Sequence, residues 1–347
     1  MSAEAPRPEV SLVILTHRRP GALRRLLSSL PSDAPGCEGL VLLNGASGVE
    51  PVLRRRLARR LPWVRAVTIP EQPRGAARNR AVRETSGRLI FFLDDDTMLP
   101  PGFVPRLLDA ARRHADAPAL GGPNLSIPGS SPFQRAVDFV LRSPLGAGPM
   151  RVRYMPLGDE RRAPAWTLML CNLGVRRDVF EAHGLLFPDR CASAEENLLL
   201  SRVERRLGRP AYCPSLAVFH ERRRSWLGFG EQVFRSGQGR AQITRLDPRS
   251  WLPASLGPLA LAAYAAALPW LWRLSPAALI PGALYAAAVA CESARAAVGD
   301  PAAALLLPLL LPWAHACYAA GAARGLLEAA LGRPTARALA GEAAATP

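Results

Sequence analysis

The sequence predicts an α/β protein with a doubly wound, mostly parallel sheet, followed by a C-terminal hydrophobic helical membrane region. Two observations lead to this prediction. Over residues 1 to about 125, short apolar runs alternate with helical patterns, which is typical of a parallel sheet with helices on both faces. From residue 251 onward, three long stretches carry no charged side chain, and a bilayer span needs about 20 mostly apolar residues.

The first 125 residues contain four predicted strands, each followed by a predicted helix. Short apolar runs bounded by turn signals are typical of strands that are buried on both faces. The predicted strands are Val10–Leu15, Leu40–Asn44, Val64–Ile69 and Leu89–Leu93. The predicted helices are Gly21–Ser29, Val49–Leu61, Gly75–Thr85 and Gly102–His114. Pro20 precedes the first helix, where proline suits the first turn.

Residues 125 to 220 lack this alternation. Glycine and proline cluster in "PGSSP", "SPLGAGP" and "FPDR", so we expect a loop-rich acceptor region around one or two further strands. In doubly wound sheets, ligands bind at the carboxyl ends of the strands. No GxGxxG follows the first strand, which disfavours a dinucleotide site of the NAD type.

The C-terminal part of the chain changes character at Trp251. Leu252–Trp272 and Pro301–Ala323 have the length of a bilayer span, and the second is the stronger candidate. Ser275–Cys291 is shorter and rich in alanine, so it is expected to span, to be re-entrant or to be buried. Arginines flank both ends of the region, which favours two spans and a partial helix over three spans. An alanine-rich soluble helical domain is the alternative.

The composition narrows the classes of partner and compartment. The net charge is +16, but all 44 basic residues are arginine, which indicates a compositional bias and weakens the charge as evidence for nucleic acid. We expect anionic lipid or a phosphate-bearing substrate, and no nucleic acid. The six cysteines show no CxxC spacing, which suits a reducing cytosol and disfavours zinc. The N-terminus shows no signal-peptide pattern.

Three carboxylates follow the most apolar predicted strand. In "GRLIFFLDDD", Asp94, Asp95 and Asp96 are adjacent, and like charges this close raise one another's pKa. A hard divalent cation, Mg²⁺ or Mn²⁺, takes oxygen ligands and often bridges one or two carboxylates to a substrate phosphate. Such an ion would neutralise a leaving diphosphate. A solvated turn or a helix cap is the alternative.

A basic amphipathic segment, residues 222–250, precedes the hydrophobic region. Trp226, Phe229 and Val233 recur with helical spacing and give one apolar stripe. Arginines surround the stripe, and this composition suits a helix that lies in the plane of a membrane interface.

Three segments together resemble the family 2 glycosyltransferases in order and spacing. They are "VSLVILTHRRPGALRRLLSSL", "LLNGASG" and "PRGAARNRAVRETSGRLIFFLDDD". The resemblance implies the A-type glycosyltransferase fold, a nucleotide-diphosphate sugar as donor, and inversion at the anomeric carbon. Segments such as "CNLGVRRDVFEAHG" add a narrower resemblance to bacterial exopolysaccharide glycosyltransferases of the succinoglycan type, which extend a sugar chain on a polyprenyl diphosphate.

The resemblance also implies roles for individual residues around the donor. Asp94 would face the ribose or the donor sugar, Asp95 would belong to the donor site, and Asp96 would reach the metal on the diphosphate. Thr16 would lie near the base. Arg78 would lie near the donor, with a surface charge as the alternative.

Three further residues belong to the same resemblance. Asn79, next to Arg78, would hold a loop. His220 would approach the metal or the diphosphate, with a packed imidazole as the alternative. At the end of the second strand the family usually has D-N/D-G-S, whereas this chain has Leu43-Asn44-Gly45. Asn44 can hydrogen-bond a base or ribose, but the usual acid is missing, which leaves the nucleotide open.

The segment "CASAEENLLLSRVERRLGRP" is similar to the family's G-E-D segment, which supplies the catalytic base at the start of a helix. Inverting transfer needs one base to take the proton of the acceptor hydroxyl. A carboxylate at a helix N-terminus stays ionised. On this register the base is Glu196, or Glu195 as the second choice. First-turn acids that only complement the helix dipole are the alternative.

Four residues are implied to contact the acceptor. Trp166 and Asn172 fall in the segment where acceptors usually lie, although a tryptophan that packs in a core or interface is equally compatible. Gln232 and Arg235 resemble the Q-x-x-R-W motif of processive members. Ser236 replaces its tryptophan, which disfavours processivity.

The expected domains are a catalytic domain at 1–221, the interfacial segment at 222–250, two to three transmembrane helices at 251–330 and a disordered tail at 331–347. The expected function is transfer of a sugar from a nucleotide-diphosphate sugar to a lipid-linked or polysaccharide acceptor, at the cytoplasmic membrane with the catalytic domain in the cytosol. A nucleotidyltransferase and a non-catalytic partner of a polysaccharide assembly are the alternatives.

Overall fold

The computed structural model describes residues 7–45, 50–189, 195–250 and 253–331. These residues form two compact units. The described part of unit 1 comprises residues 7–125 together with 155–221, and that of unit 2 comprises residues 126–154 together with those from 222 onward. Unit 1 differs from the catalytic domain expected at 1–221 in that residues 126–154 pack with the C-terminal part of the chain. The tail expected at 331–347 lies outside the described residues beyond Leu331.

Eleven strands are present in the described residues. They are β1 Val10–Thr16, β2 Cys37–Asn44, β3 Val64–Ile69, β4 Leu89–Asp94, β5 Thr97–Met98, β6 Ala119–Gly121, β7 Asn124–Ser126, β8 Arg161–Arg162, β9 Asn172–Arg176, β10 Ala211–Tyr212 and β11 Val218–His220. The four strands predicted in the first 125 residues are confirmed as β1 to β4.

The described residues contain thirteen α-helices. In unit 1 they are α1 Pro20–Ser29, α2 Glu50–Arg60, α3 Arg74–Glu84, α4 Phe103–Arg113, α7 Arg177–Glu181 and α8 Glu195–Leu207. In unit 2 they are α5 Pro132–Arg142, α6 Pro144–Ala147, α9 Trp226–Leu246, α10 Gly257–Leu274, α11 Ile280–Ala297, α12 Pro301–Ala304 and α13 Leu307–Ala330. The four predicted helices correspond to α1 to α4.

The main sheet has eight strands in the order β3-β2-β1-β4-β9-β6-β10-β8. β1 to β4 are mutually parallel, so their carboxyl ends share one edge. β9 runs antiparallel to both of its neighbours, β4 and β6. A second sheet has the order β5-β11-β7, with β11 antiparallel to β5. The predicted α/β architecture with a mostly parallel sheet is confirmed.

The core of unit 1 lies between β1 to β4 and the flanking helices. β4 is buried from Leu89 to Leu93, as expected for a strand with helices on both faces. α4 has a buried face that includes Phe103 and Leu107, and the Phe103 ring packs edge-on against Phe91 of β4. This packing anchors β4 three residues before Asp94, the first of the three adjacent aspartates.

In unit 2, α9 and α13 pack closely because glycines lie at their contact. A Cβ atom at Gly237 of α9 would lie 2.2 Å from the carbonyl oxygen of Tyr318, and one at Gly321 of α13 would lie 1.9 Å from that of Phe234. Both distances are far below a van der Waals contact, so these positions require glycine.

The apolar stripe of α9 is covered by protein. Phe229 is fully buried, and Trp226 and Val233 pack against the same core, to which α5, α12 and α13 contribute. The expectation that this stripe lies on a membrane surface is not met. The physical reason is that a stripe facing lipid and a stripe facing another helix have the same helical spacing.

Two C-terminal helices have the length and apolar composition of membrane spans. They are Pro253–Leu274 and Pro276–Ala297. No described residue of α10 is buried within the protein. The stretch expected to be the strongest span, 301–323, instead divides into α12 and α13 and buries Leu307, Leu310 and Leu311 in the core of unit 2.

Candidate functional site

The acid cluster lies at the carboxyl end of β4. Asp94 is the last residue of β4, and β5 follows the cluster at Thr97. β5 pairs with β11 so that His220 stands opposite Thr97. This pairing brings His220 Nε2 to 3.2 Å from Asp96 Oδ1. One ligand atom from each of Asp94, Asp96 and His220 lies within 4.8 Å of the others.

This donor set fits a divalent cation. Two carboxylate oxygens and one imidazole nitrogen are compatible with Mn²⁺ or Mg²⁺, and three protein ligands leave positions for substrate oxygens. Burial raises the pKa of the Asp94 carboxyl, whereas the nearby Arg78 guanidinium opposes that shift. A second positive charge beside these carboxylates would favour their ionised form.

Asp95 is connected differently from its two neighbours. Thr16 Oγ1 of β1 donates a hydrogen bond of 2.7 Å to Asp95 Oδ2, and Arg19 Nη1 lies 3.5 Å from Asp95 Oδ1. Burial raises the pKa of Asp95 to about 6, and the Thr16 hydrogen bond opposes the shift. Asp95 and Thr16 are both buried, so this pair, expected to contact the donor, ties the end of β1 to the turn after β4.

Arg78 joins the acid cluster to the start of α8. Its Nη1 lies 2.5 Å from Glu195 Oε1, and its Nη2 lies 3.6 Å from Asp94 Oδ1. Arg78 and Glu195 are both buried. A guanidinium presents several N–H groups in one plane, which allows it to contact two carboxylates at once.

The local sequence "PRGAARN" explains how α3 aims Arg78. A Cβ atom at Gly75 would lie 1.9 Å from the carbonyl oxygen of Pro188, so only glycine allows this approach. Asn79 donates to the carbonyl of Phe187 at 2.9 Å and accepts from its N–H at 3.0 Å. Asn79 therefore holds a neighbouring loop, as expected, while Arg78 reaches the site.

Glu196 is the second residue of α8. Its side chain is buried, and Asn197 Nδ2 donates to Glu196 Oε1 at 3.2 Å. Leu198, Leu199 and Leu200 are also buried, so the first turns of α8 are firmly anchored. Both candidate bases thus lie in the first turn of a helix, where the dipole favours a negative charge.

Asn44 is held by the backbone of the segment after β3. Its Nδ2 donates to the carbonyl of Gln72 at 2.8 Å, and its Oδ1 accepts from the Gln72 N–H at 3.0 Å. These two bonds occupy one donor and one acceptor position of the amide. Asn44 is buried, which limits what it can offer to a nucleotide.

The four residues expected to contact the acceptor have separate locations. Asn172 is fully buried at the start of β9, and its Nδ2 donates to the carbonyls of Pro123 and Leu216. It is therefore a framework residue, because no part of it is exposed to an acceptor. Trp166 is partly buried in the short 3-10 helix at 165–167 of unit 1. Gln232 and Arg235 lie on α9 of unit 2.

Both of these α9 residues have protein partners. Gln232 Oε1 accepts from Arg223 Nε at 3.0 Å, and Arg235 pairs with Glu231 one helical turn away. Neither contact is itself evidence of acceptor binding.

Arg19 belongs to the site although the sequence analysis did not select it. Its Nη1 lies 3.0 Å from Asp96 Oδ2 as well as near Asp95. The signal was present in "THRRPG": β1 and β4 are neighbours in the sheet, so a basic residue just after β1 must lie near the acids just after β4.

Comparison with known proteins agrees with the fold. Residues 11–184 match the family model described as glycosyl transferase family 2. The chain is 25% identical over 252 residues to the succinoglycan biosynthesis protein ExoM of Rhizobium meliloti (strain 1021). The aligned region covers 67% of this chain and 74% of ExoM.

Solved structures of other proteins have a similar fold. The mannosyltransferase PcManGT from Pyrobaculum calidifontis, in complex with GDP-Man and Mn²⁺, has a TM-score of 0.55 at 19% identity and covers 93% of this chain and 88% of its own. Residues 1–349 of S. aureus TarS give 0.51 at 15% identity, with coverages of 94% and 92%. The family model spans half of the chain, and the fold agrees with it, so this protein belongs to glycosyl transferase family 2 and is a glycosyltransferase.

Proposed function

We propose that this protein is a membrane-associated, inverting glycosyltransferase that uses a nucleotide-diphosphate sugar as donor. The acceptor is a lipid-linked or polysaccharide glycan in cell-surface polysaccharide synthesis. The observation that carries the proposal is the cluster of Asp94, Asp96 and His220, whose ligand atoms lie within 4.8 Å of one another at the carboxyl edge of the sheet. This is the edge where doubly wound sheets bind their ligands.

The cluster would hold the leaving-group end of the donor. A divalent cation bound by Asp94, Asp96 and His220 would supply positive charge to neutralise a diphosphate. Arg78 lies 3.6 Å from Asp94 and adds a permanent positive charge beside the same group. In a buried setting such fixed charges stabilise charge that develops during the reaction.

Glu196 is the residue best suited to take the proton of the acceptor hydroxyl. Glu195 forms a close ion pair with the buried Arg78, so its carboxylate is engaged in holding that guanidinium. Glu196 is the next residue of the same first turn of α8 and occupies the position where the resemblance places the catalytic base; its Oε1 accepts a hydrogen bond from Asn197 Nδ2. Glu195 then acts as a positioning residue that fixes Arg78 between α8 and the acid cluster.

Membrane association is supported by α10, α11 and the related protein. α10 and α11 belong to two helices with the length and hydropathy of spans. ExoM, which is 25% identical, is named as a succinoglycan biosynthesis protein. We place the enzyme at the cytoplasmic membrane, with unit 1 in the cytosol where nucleotide sugars are made.

The test is sugar transfer by membranes that contain the full chain, with a panel of nucleotide sugars, Mn²⁺ and a lipid-linked glycan acceptor. Glu196→Gln is expected to lower kcat by about 10² to 10⁴, the range for losing a general base, with little change in donor binding. Asp96→Ala is expected to remove Mn²⁺-dependent donor binding as well as turnover. The matched control is Asp116→Asn, an exposed aspartate paired with Arg162.

Two results would contradict the proposal. Unchanged turnover in both variants would exclude these residues from the reaction. Release of pyrophosphate, in place of a nucleoside diphosphate, would instead indicate a nucleotidyltransferase.

A further inference from the structure

The strand order fixes the direction in which a bound nucleotide extends from the acid cluster. This inference rests on the proposed function, in which Asp94, Asp96 and His220 hold the diphosphate through a divalent cation. On one side of β4, the antiparallel β9 begins at the fully buried Asn172. On the other side, β1, β2 and β3 end at the same edge as β4. The nucleoside therefore lies over the ends of these three strands.

The reach of the nucleotide brings its base near the ends of β2 and β3. β3 is three strand positions from β4, which is about 14 Å at about 4.8 Å per strand. This span is comparable with the length of an extended nucleoside diphosphate. The base would therefore meet groups that follow β2 and β3.

A carboxylate lies near the end of β2, although the residue that carries it follows β3 and not β2. Glu71 follows β3, and its side chain lies over Gly45 at the end of β2. A Cβ atom at Gly45 would be 3.4 Å from Glu71 Cβ and 3.5 Å from Glu71 Oε2. Gly45 has a φ of +91°, which favours glycine there and keeps this space open. Glu71 thus places a carboxylate near the end of β2, where this chain has Leu43 in place of the acid that is usual in the family.

The surroundings of Glu71 leave its carboxylate accessible. Its side chain is 58% exposed, and its contacts are Arg18 Nη2 at 3.3 Å and His17 Nε2 at 3.7 Å. His17 Nδ1 lies 2.7 Å from the carbonyl oxygen of Asn44. A carbonyl only accepts, so Nδ1 carries a proton and donates it to this oxygen. The Glu71 carboxylate and the His17 ring therefore lie side by side near the end of β2.

We propose that Glu71 determines which nucleobase the enzyme accepts. It selects a base whose ring nitrogen on the base-pairing edge carries a hydrogen. An ionised carboxylate only accepts hydrogen bonds. Guanine offers a ring N–H and an adjacent amino group, which match both carboxylate oxygens, and uracil offers one ring N–H. Adenine and cytosine present a lone pair at the equivalent ring nitrogen, which a carboxylate repels. The expected order of affinity is guanine, then uracil, then adenine and cytosine.

The competing explanation is that Glu71 only anchors the loop after β1. Arg18 has a φ of +53°, which is unusual for a residue other than glycine, and it pairs with Glu71. An anchoring role predicts that Arg18→Ala and Glu71→Gln have the same effect. A base-selecting role predicts that only Glu71→Gln changes the ranking of nucleotides.

The experiment is isothermal titration of the full chain in detergent with GDP, UDP, ADP and CDP in the presence of Mn²⁺. We expect wild type to bind GDP at least about tenfold more tightly than ADP or CDP, the discrimination typical of a bidentate contact to a base. Glu71→Gln should weaken GDP by about tenfold and bring GDP and ADP close together. Arg18→Ala should preserve the ranking.

Glu181→Gln is the matched control. Glu181 is 57% exposed and also pairs with an arginine, Arg177. It lies on α7 just after β9, whose Arg176 pairs with Leu89 at the opposite end of β4 from the acid cluster. This variant should bind all four nucleotides as wild type does.

The outcomes separate this inference from the proposed function. If wild type binds none of the four nucleotides with Mn²⁺, the proposed function fails and the inference fails with it. If wild type binds them without ranking, or if Glu71→Gln binds with the ranking of wild type, the role of Glu71 is overturned while the proposed function stands. Thermal unfolding of each variant shows whether a loss of binding reflects a loss of folding.

Discussion

Arg78 and Glu195 form a buried ion pair between α3 and α8, with Nη1 and Oε1 2.5 Å apart. The same guanidinium also lies 3.6 Å from Asp94. The pair therefore connects the residues assigned to the donor with the helix that carries the assigned base. A change on either side of this connection should affect both stability and activity.

Arg78→Met is expected to destabilise the protein by about 3 kcal/mol, because it leaves the buried Glu195 without its partner. Combining it with Glu195→Gln should recover part of that loss, since the uncompensated charge is gone. Activity should stay low in the double variant, because the positive charge beside Asp94 is still missing. Urea denaturation and transfer assays check both results. Equal stability of the single and double variants would contradict the coupling.

The raised pKa of Asp95 predicts how stability depends on pH in metal-free buffer. Its pKa rises from 3.8 to about 6 on folding, so between these values the folded state holds a proton that the unfolded state has released. The free energy of unfolding contributed by Asp95 therefore falls as the pH rises from about 4 to about 6. Across this window Asp95→Asn should gain about 3 kcal/mol of unfolding free energy relative to wild type.

Denaturation at pH 4 and pH 7 in the presence of EDTA measures this difference. Asp33→Asn, at an exposed aspartate of unit 1, serves as the control and should show no such gain. Parallel curves for wild type and Asp95→Asn would show that folding does not raise the pKa of this carboxyl.

Glu38 predicts the opposite pH dependence. Partial burial raises its pKa, but hydrogen bonds from Ser11, Ser86 and Gly87 outweigh burial and lower it overall. Its contribution to stability is therefore present above pH 4.5 and lost as the pH falls through the lowered pKa. Glu38→Gln should cost about 1 to 2 kcal/mol at pH 7, the range for a partly exposed hydrogen-bonded charge. The cost should become smaller as the pH falls below 4.5 and through the lowered pKa.

The control for Glu38 is Glu231→Gln, which removes an exposed pair with Arg235 on α9. An exposed pair one helical turn apart contributes only about 0.3 to 0.5 kcal/mol. A cost for Glu38→Gln that is no larger than this would argue against the hydrogen-bond cluster.

Membrane association predicts that charge in the middle of α10 is costly. An arginine at the centre of a spanning helix costs about 2.5 to 3.5 kcal/mol of insertion free energy. Ala263→Arg, at an exposed position of α10, should therefore shift the protein out of the carbonate-washed membrane fraction. Ala263→Leu should leave it there. Equal fractionation of the two variants would show that α10 does not enter the bilayer.

The parallel half of the sheet could be predicted from sequence because its signals are local. Val64–Ile69 is bounded as predicted, and Leu89–Asp94 extends the prediction by one residue. The acids after β4 were selected for the same reason: a charge after an apolar strand is visible without knowing the partner strands.

What could not be predicted depends on partners that are distant in sequence. The antiparallel insertion of β9 buries Asn172, and nothing in "CNLGV" marks that residue as buried. The stripe of α9 meets α13 about 90 residues later, so its pattern alone could not show whether lipid or protein covers it. The role proposed for Glu71 needs the placement of β3 beside β2, which only the assembled sheet provides.

The membership of α5 in unit 2 has a consequence for biosynthesis. Its apolar residues Ala136, Val137 and Val140 share a core with Leu307 and Leu310, which leave the ribosome long afterwards. During translation the apolar face of α5 therefore stays exposed until α13 has been synthesised. Either a chaperone covers this face in the meantime, or the chain is delivered early to the membrane-insertion machinery. By the same reasoning, a truncated gene that stops after codon 221 should yield inclusion bodies and not a soluble enzyme.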